Sequence, residues 1–478
     1  MTPQQSSTAL VIGISALVSL IPWTVALRRA RSFGDWDLTA TLVFVMGVLA
    51  NLPTVAYVIH TGRSERLDSR GDVVIGFPAW VNHIGTLTNG LMLAACVLFV
   101  LQRLLFARAT INPAPLIALV LVLVLTASDG LHGQELLAPR QVTLLAALLA
   151  AAVARAGRSA LLGGAAVAMM FTVLSGIEAV VEPATVLREC EPDNQCGVLG
   201  ILYAGVFTNE NIYSLLIMVC IPFVWLGLRG RVRVVLACYL AFVAVATGSR
   251  LASVTAVATV AFLMLMRPRL PDEEPRGVPG ISPGRILAAV PVLGAVAAMG
   301  ALLPFHHRGL GDLGMRATIW DMARSELPDS VLLGFGGKAW SAKYPGGEIP
   351  AAVSPSLHNE WIDVLYAGGI IGLALFVGLL AYLLLRGGTT GFPIAASLLL
   401  PVLLASVLER PWSFGISNSL TFALVAVTLV PLTARTVTGR ARQRLGPPHS
   451  TAALRAASPA APESGSSPAA EPVRTPRR

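Results

Sequence analysis

VRVVLACYLAFVAVATGSRLASVTAVATVAFLMLM, residues 232–266, carries two apolar runs, 232–249 and 251–266, parted only by the polar hinge Thr247-Gly248-Ser249-Arg250. Arg233 and Arg250 are its only charges. Each run is near the length an α-helix needs to cross a hydrocarbon core of roughly 30 Å. A stretch this apolar on all sides asks for lipid, or for other apolar helices, as its surroundings. Working outward, the same kind of run recurs at about 8–27, 38–60, 84–102, 113–128, 138–154, 159–181, 211–228, 286–303, 361–385, 391–408 and 418–432. The composition agrees. Of 478 residues 55% are hydrophobic and 13% charged, and the mean hydropathy is +0.71. Disorder, a coiled coil and a soluble cytosolic enzyme are excluded. The expectation is an all-α polytopic membrane protein of about 12–13 transmembrane helices with one long extracytoplasmic loop.

The net charge of +9 would suggest nucleic acid in a soluble protein, but in a membrane protein it belongs to cytoplasmic loops. Position decides. Arg28, Arg29 and Arg31, then Arg103 and Arg108, Arg155 and Arg158, Arg229, Arg231 and Arg233, Arg267 and Arg269, Arg386, and finally Arg435, Arg440, Arg442 and Arg444 fall in alternate loops. The intervening loops are balanced or acidic: Arg63, Arg66 and Arg70 stand against Glu65, Asp68 and Asp72, and Glu182, Glu189, Glu191 and Asp193 share another. This alternation puts the C-terminus in the cytoplasm and, with an odd span count, the N-terminus outside. Residues 1–432 then form the membrane domain, with a long outward loop at 304–360. Residues 433–478, rich in Ala, Pro, Ser and Arg, read as a disordered cytoplasmic tail.

Of the five cysteines, Cys96, Cys220 and Cys238 lie in apolar runs and read as small core residues. Cys190 and Cys196 share one polar outward loop, where a disulfide closing the loop is expected and two free thiols are the alternative.

Several polar residues sit at outward span ends, each with two readings. Arg250 either snorkels to headgroups or is a fixed cation for a phosphate. Arg316, Trp320 and Arg324, spaced four apart after the cap candidate Asp312, share one helix face. That face either lies on the bilayer or turns Arg316 into a site. His358, in Ser356-Leu357-His358-Asn359, either caps locally or takes a proton from a hydroxyl. Thr208-Asn209-Glu210-Asn211 is either an N-cap cluster or a polar floor for a sugar or diphosphate. The Leu333-Gly334-Phe335-Gly336-Gly337 stretch demands a tight turn or close backbone approach. His306 and His307 read as loop histidines. No metal-ligand spacing, Walker loop or Rossmann fingerprint is present, so neither a metal nor a cofactor is expected.

The ordered set Phe207-Thr208-Asn209-x-Asn211, Ser249-Arg250, Arg316-x3-Trp320, Leu333-Gly334-Phe335-Gly336 and Ser356-Leu357-His358-Asn359 resembles the O-antigen ligase and polymerase superfamily, most densely over 200–385. The resemblance implies a glycosyltransferase of the C-type membrane architecture in the bacterial cytoplasmic membrane. It implies that Arg250 and Arg316 hold the diphosphate of an undecaprenyl-diphosphate-linked glycan and that His358 orients or deprotonates the acceptor, a glycan, lipid or protein, in a metal-independent inverting displacement on the outer face. Asn209, Asn211, Trp320 and Asn359 are the accompanying substrate-binding candidates. The competing class is a secondary transporter or exporter of an envelope precursor. Against it, charges avoid the span centres and no internal repeat is visible.

Overall fold

In lipid the backbone polar groups of an apolar run have no water to bond, so each run closes its own hydrogen bonds as a helix. The computed structural model describes residues 3–62, 77–106, 111–188, 197–273, 283–306, 316–343 and 356–431. Helices α1 (Pro3–Ser32), α2 (Leu38–Thr61), α3 (Ala79–Phe106), α4 (Pro113–Leu131), α5 (Pro139–Val153) and α6 (Arg158–Val181) come first. A one-turn helix, α7 (Pro183–Val186), and the antiparallel pair β1 (Leu187–Arg188) and β2 (Leu202–Tyr203) follow. Then come α8 (Glu210–Gly227), α9 (Val232–Ala246), α10 (Arg250–Met266) and α11 (Pro283–Leu302). The loop helices α12 (Arg316–Glu326) and α13 (Ala339–Lys343) precede α14 (Glu360–Leu385), α15 (Gly388–Ser406) and α16 (Thr421–Thr428). Met1–Thr433 forms one unit; residues 434–478, and with them the expected tail, lie outside the described residues.

Nine of these helices, among the described residues, are long and apolar enough to cross a membrane, and α5, α9 and α10 are shorter apolar helices. The protein is an all-α polytopic membrane protein. The expected last span, 418–432, differs: only Thr421–Thr428 is α-helical, about 12 Å of helix. Its flanks tighten into i→i−3 bonds (Thr421 N to Asn418 O, Val430 N to Val427 O), which stretch the backbone to about 2 Å per residue. Ser417 N bonds Arg140 O, and Val430 O accepts from Arg386. The segment thus still runs from one end of the bundle to the other. It can be short because residues 420–430 are buried in protein.

Helices α6, α8 and α15 are largely buried, whereas α3 and α11 bury little of their surface. The exposed side chains of α1 (Leu10, Ile14, Leu17, Ile21) and α3 (Leu87, Leu91, Leu98) are apolar, as a lipid-facing surface requires. Alternate helix ends meet at two poles. One is basic but stitched by acids: Arg229 bonds Asp35 at 2.6 Å, and Arg158 bonds both Asp272 (2.9 Å) and Glu273 (3.0 Å). The other pole carries α12 and α13.

Candidate functional site

The loop between α11 and α14 is fastened through a break in α14. Gly369 has φ +60 inside that helix, which frees carbonyls before it and amides after it. The loop answers both sets. Phe335 N and Gly336 N donate to Tyr366 O and Ala367 O, each at 2.9 Å, while Ile370 N and Ile371 N donate to Val331 O and Leu332 O. Gly334 (φ +65) has room for no side chain, because a Cβ would come within 2.5 Å of Gly369 N and Tyr366 O. The glycine cluster is therefore both a tight turn and a close approach. Ser128 Oγ bonds Gly334 O at 2.7 Å and Asp129 accepts from Lys338 N at 3.1 Å. Ile319, Trp320, Ala323, Trp340, Leu357, Ile362 and Tyr366 give the loop a small apolar core of its own against the start of α14.

His358 stands where this docked loop enters α14. Its φ is +47, a left-handed conformation that costs a non-glycine residue about 1–2 kcal/mol. Its neighbours hold it there. Trp320 Nε1 donates to Leu357 O at 2.7 Å. Asn359 Oδ1 caps α14 by accepting from Trp361 N and Ile362 N, and its Nδ2 donates to Gly300 O and Val407 O, both at 2.9 Å. Trp320 and Asn359 are both buried. Both substrate-binding candidates are thus hydrogen-bonded to backbone around His358.

The imidazole meets Glu409, the second residue past the C-cap of α15. His358 Nδ1 lies 3.0 Å from Glu409 Oε2, and Arg316 Nη2 donates to Glu409 Oε1 at 3.0 Å. A carboxylate only accepts, so Nδ1 carries the proton in this pairing and Nε2 is left as the free ring nitrogen. The structure thus brings His358 and Arg316 to one carboxylate. Arg316 Nε is buried and has no hydrogen-bond partner among the described residues. Glu409 is followed by Arg410, which bonds Asp363, one turn into α14, at 2.8 Å.

Arg250 is the first residue of α10, turned there by Gly248 (φ +84) and capped by Ser249. It is exposed and has no ion pair with a described residue. The far end of α10 leads to Asp272 at the basic pole, so Arg250 lies at the opposite one; among the described residues no contact joins it to the other two. Asn209 caps α8, accepting from Ile212 N at 2.9 Å, and Asn211 is exposed beside it. Glu210 pairs with Arg188 at 3.1 Å. Of the remaining loop cations, Arg324 pairs with Asp321 and Lys343 with Glu326, and so stand apart from His358. Cys190, Cys196, Asp312 and His307 lie outside the described residues. Among the described residues no group of three His, Cys, Asp or Glu side chains is placed to hold a metal ion.

Sequence reasoning missed Glu409 and Arg410. The signal was an acid–base pair in the short polar stretch between two apolar runs, in Leu408-Glu409-Arg410-Pro411-Trp412.

Fold and site together define a polytopic membrane protein with a histidine–carboxylate–arginine relay at the pole that carries its longest loop. Residues 234–377 match the family described as O-antigen ligase. Arg250, Arg316 and His358 fall inside the matched segment, and Glu409 beyond it. No curated protein matches the chain.

Proposed function

We propose that the protein is a membrane glycosyltransferase that moves a glycan from an undecaprenyl-diphosphate carrier to a hydroxyl acceptor at the outer face of a bacterial cytoplasmic membrane. The observation that carries this reading is Glu409 held between Arg316 and His358, each at 3.0 Å. The family match supports the chemistry, and the basic loops of the opposite pole support a cytoplasmic orientation for that end.

The acceptor oxygen attacks the anomeric carbon as its proton passes to His358 Nε2. The bond from that carbon to the diphosphate oxygen breaks from the opposite side, so the configuration inverts. Glu409 orients the ring through Nδ1 and stabilises the imidazolium that forms. The departing diphosphate gathers negative charge, which Arg316 and Arg250, the latter paired with no described acid, offset. Arginine suits this because its fork meets two oxygens at once and stays charged. Asn209 and Asn211 belong to the rim at the start of α8. Ligase and polymerase differ in the acceptor, which the relay does not read.

The test is reconstitution. Purified protein in liposomes is supplied with a radiolabelled polyprenyl-diphosphate glycan and candidate acceptors. Release of polyprenyl diphosphate with a new glycosidic bond, absent in His358→Ala, is the expected result. A donor that stays intact with every acceptor, or transfer undiminished in His358→Ala, overturns it.

A further inference from the structure

A cavity of about 250 Å³ opens at the same pole, bounded by α2, α3, the start of α5, Ile212 of α8 and residues 410–419. It reaches down α2 as far as Leu49, about 18 Å of helix from the end at Thr61. Arg140 and Arg410 are among the residues that line it, with Asn89 and Ser413; no acid is in the lining, and Asp363, Glu360 and Glu409 stand near Arg410 behind it. Arg410 is paired with Asp363 outside that lining. Arg140 is exposed, and no acid among the described residues pairs with it. Its wall is built, not incidental: Trp412 N donates to Glu360, Ser417 N to Arg140 O, and Asn51 Nδ2 to Ser419 O. None of its residues lies in the segment that matches the family.

Arg140 is exposed in this cavity and no described acid pairs with it, so its charge and its fork of donors are left for a ligand. Two forks on different elements, with hydroxyl and amide donors between them, suit a tetrahedral group whose oxygens point several ways, better than a flat carboxylate that one fork would satisfy. We infer that this cavity is a phosphoryl-binding subsite in which Arg140 and Arg410 grip the anion from two sides. Glu409 and Arg410 are consecutive, so the subsite adjoins the relay; a second lipid-linked phosphoryl group, beside the donor diphosphate at Arg316 and Arg250, as its natural occupant rests on the proposed transferase reading.

The test uses the full-length protein in detergent and two probes, inorganic diphosphate and geranylgeranyl diphosphate, with Kd measured by calorimetry. Arg410→Gln would strand Asp363, so the informative variants are Arg140→Gln and Asn89→Asp, neither of which removes a contact of the fold. Each is expected to weaken binding at least about tenfold, with Arg140→Lys retaining most of it. If both probes bind and weaken together, the subsite reads the phosphoryl group itself; if only the lipid probe does, it reads a lipid-linked one. Binding that ignores both substitutions, or wild-type protein that binds neither probe, overturns the inference. Transfer is followed on the same preparations. If wild-type transfer is absent while Arg140→Gln loses diphosphate, the transferase reading falls and the subsite stands. If transfer proceeds while binding ignores Arg140 and Asn89, the subsite falls alone.

Discussion

Replacing Glu409 by glutamine is expected to harm transfer more than replacing it by alanine. Glu409 accepts from Arg316 with one oxygen and from His358 Nδ1 with the other, both at 3.0 Å. In Glu409→Gln the permanently cationic Arg316 must keep the amide oxygen, because it can only donate. The amide NH2 then faces His358 Nδ1, which must turn a lone pair toward it and carry the ring proton on Nε2. That tautomer cannot take a proton from an acceptor hydroxyl. A general base is worth about 10²–10⁴ in rate, or about 3–5 kcal/mol, and kcat is expected to fall by that much with the donor KM little changed. Glu409→Ala removes one charge-assisted bond to the ring, about 1.5–3 kcal/mol, but leaves the ring free to choose its tautomer, so its loss is about 10–150-fold. The assay is transfer by purified protein at saturating donor, with thermal unfolding to confirm equal folding. Alanine proving as damaging as glutamine, or glutamine working at the wild-type rate, would refute the tautomer argument.

Trp320→Phe leaves the buried Leu357 carbonyl without its donor and is expected to cost about 1–3 kcal/mol of stability, lowering kcat through a looser His358; thermal unfolding and transfer rate check it together. Asn359→Asp should destabilise more than Asn359→Ser, since a carboxylate would face the carbonyls of Gly300 and Val407, whereas serine keeps the α14 cap; melting temperatures in detergent rank the two. Gly369→Ala would bring a Cβ within 2.3 Å of Leu332 O at φ +60, so about 2 kcal/mol or more is lost and limited proteolysis should open the α11–α14 loop. At the opposite pole, burial pushes the Asp272 carboxyl up, but the hydrogen bond and charge of Arg158, with Arg229 behind, hold it below its ordinary value of 3.8. A carboxyl lowered by folding adds stability above that ordinary value and loses it as pH falls through the folded one. The difference in melting temperature between pH 7 and strongly acidic solution should therefore shrink in Asp272→Asn.

Much of the bundle was legible because a helix that crosses lipid must be apolar along its whole length. Residues 232–266 show this most plainly, where the two runs and the Gly248 turn reappear as α9 and α10. The last span differs from the expected helix for a physical reason: α16 is enclosed by protein, so apolarity there reports burial and the crossing needs only a short α-helix. In the site, Arg316 and His358 stood out by residue type and position. Their meeting at Glu409 did not, since it joins residues 93 and 51 positions apart through the end of α15. The left-handed backbone of His358 was illegible too, because histidine carries no mark of it. Trp320 and Asn359 were noticed as polar groups near a site, but only the fold shows that their hydrogen bonds are spent on Leu357, Gly300 and Val407. Arg140 was hidden by its place beside Pro139 at the start of an unremarkable apolar run.

The central claim is that His358 serves glycan transfer from a lipid carrier, and cells test it most directly. The gene is deleted in its host and restored as wild type or as His358→Ala, and polyprenyl-diphosphate-linked glycan and finished envelope polymer are quantified by mass spectrometry. The account predicts that the alanine form, inserted at the wild-type level, accumulates lipid-linked precursor and makes little polymer. Full polymer with no accumulation would contradict it.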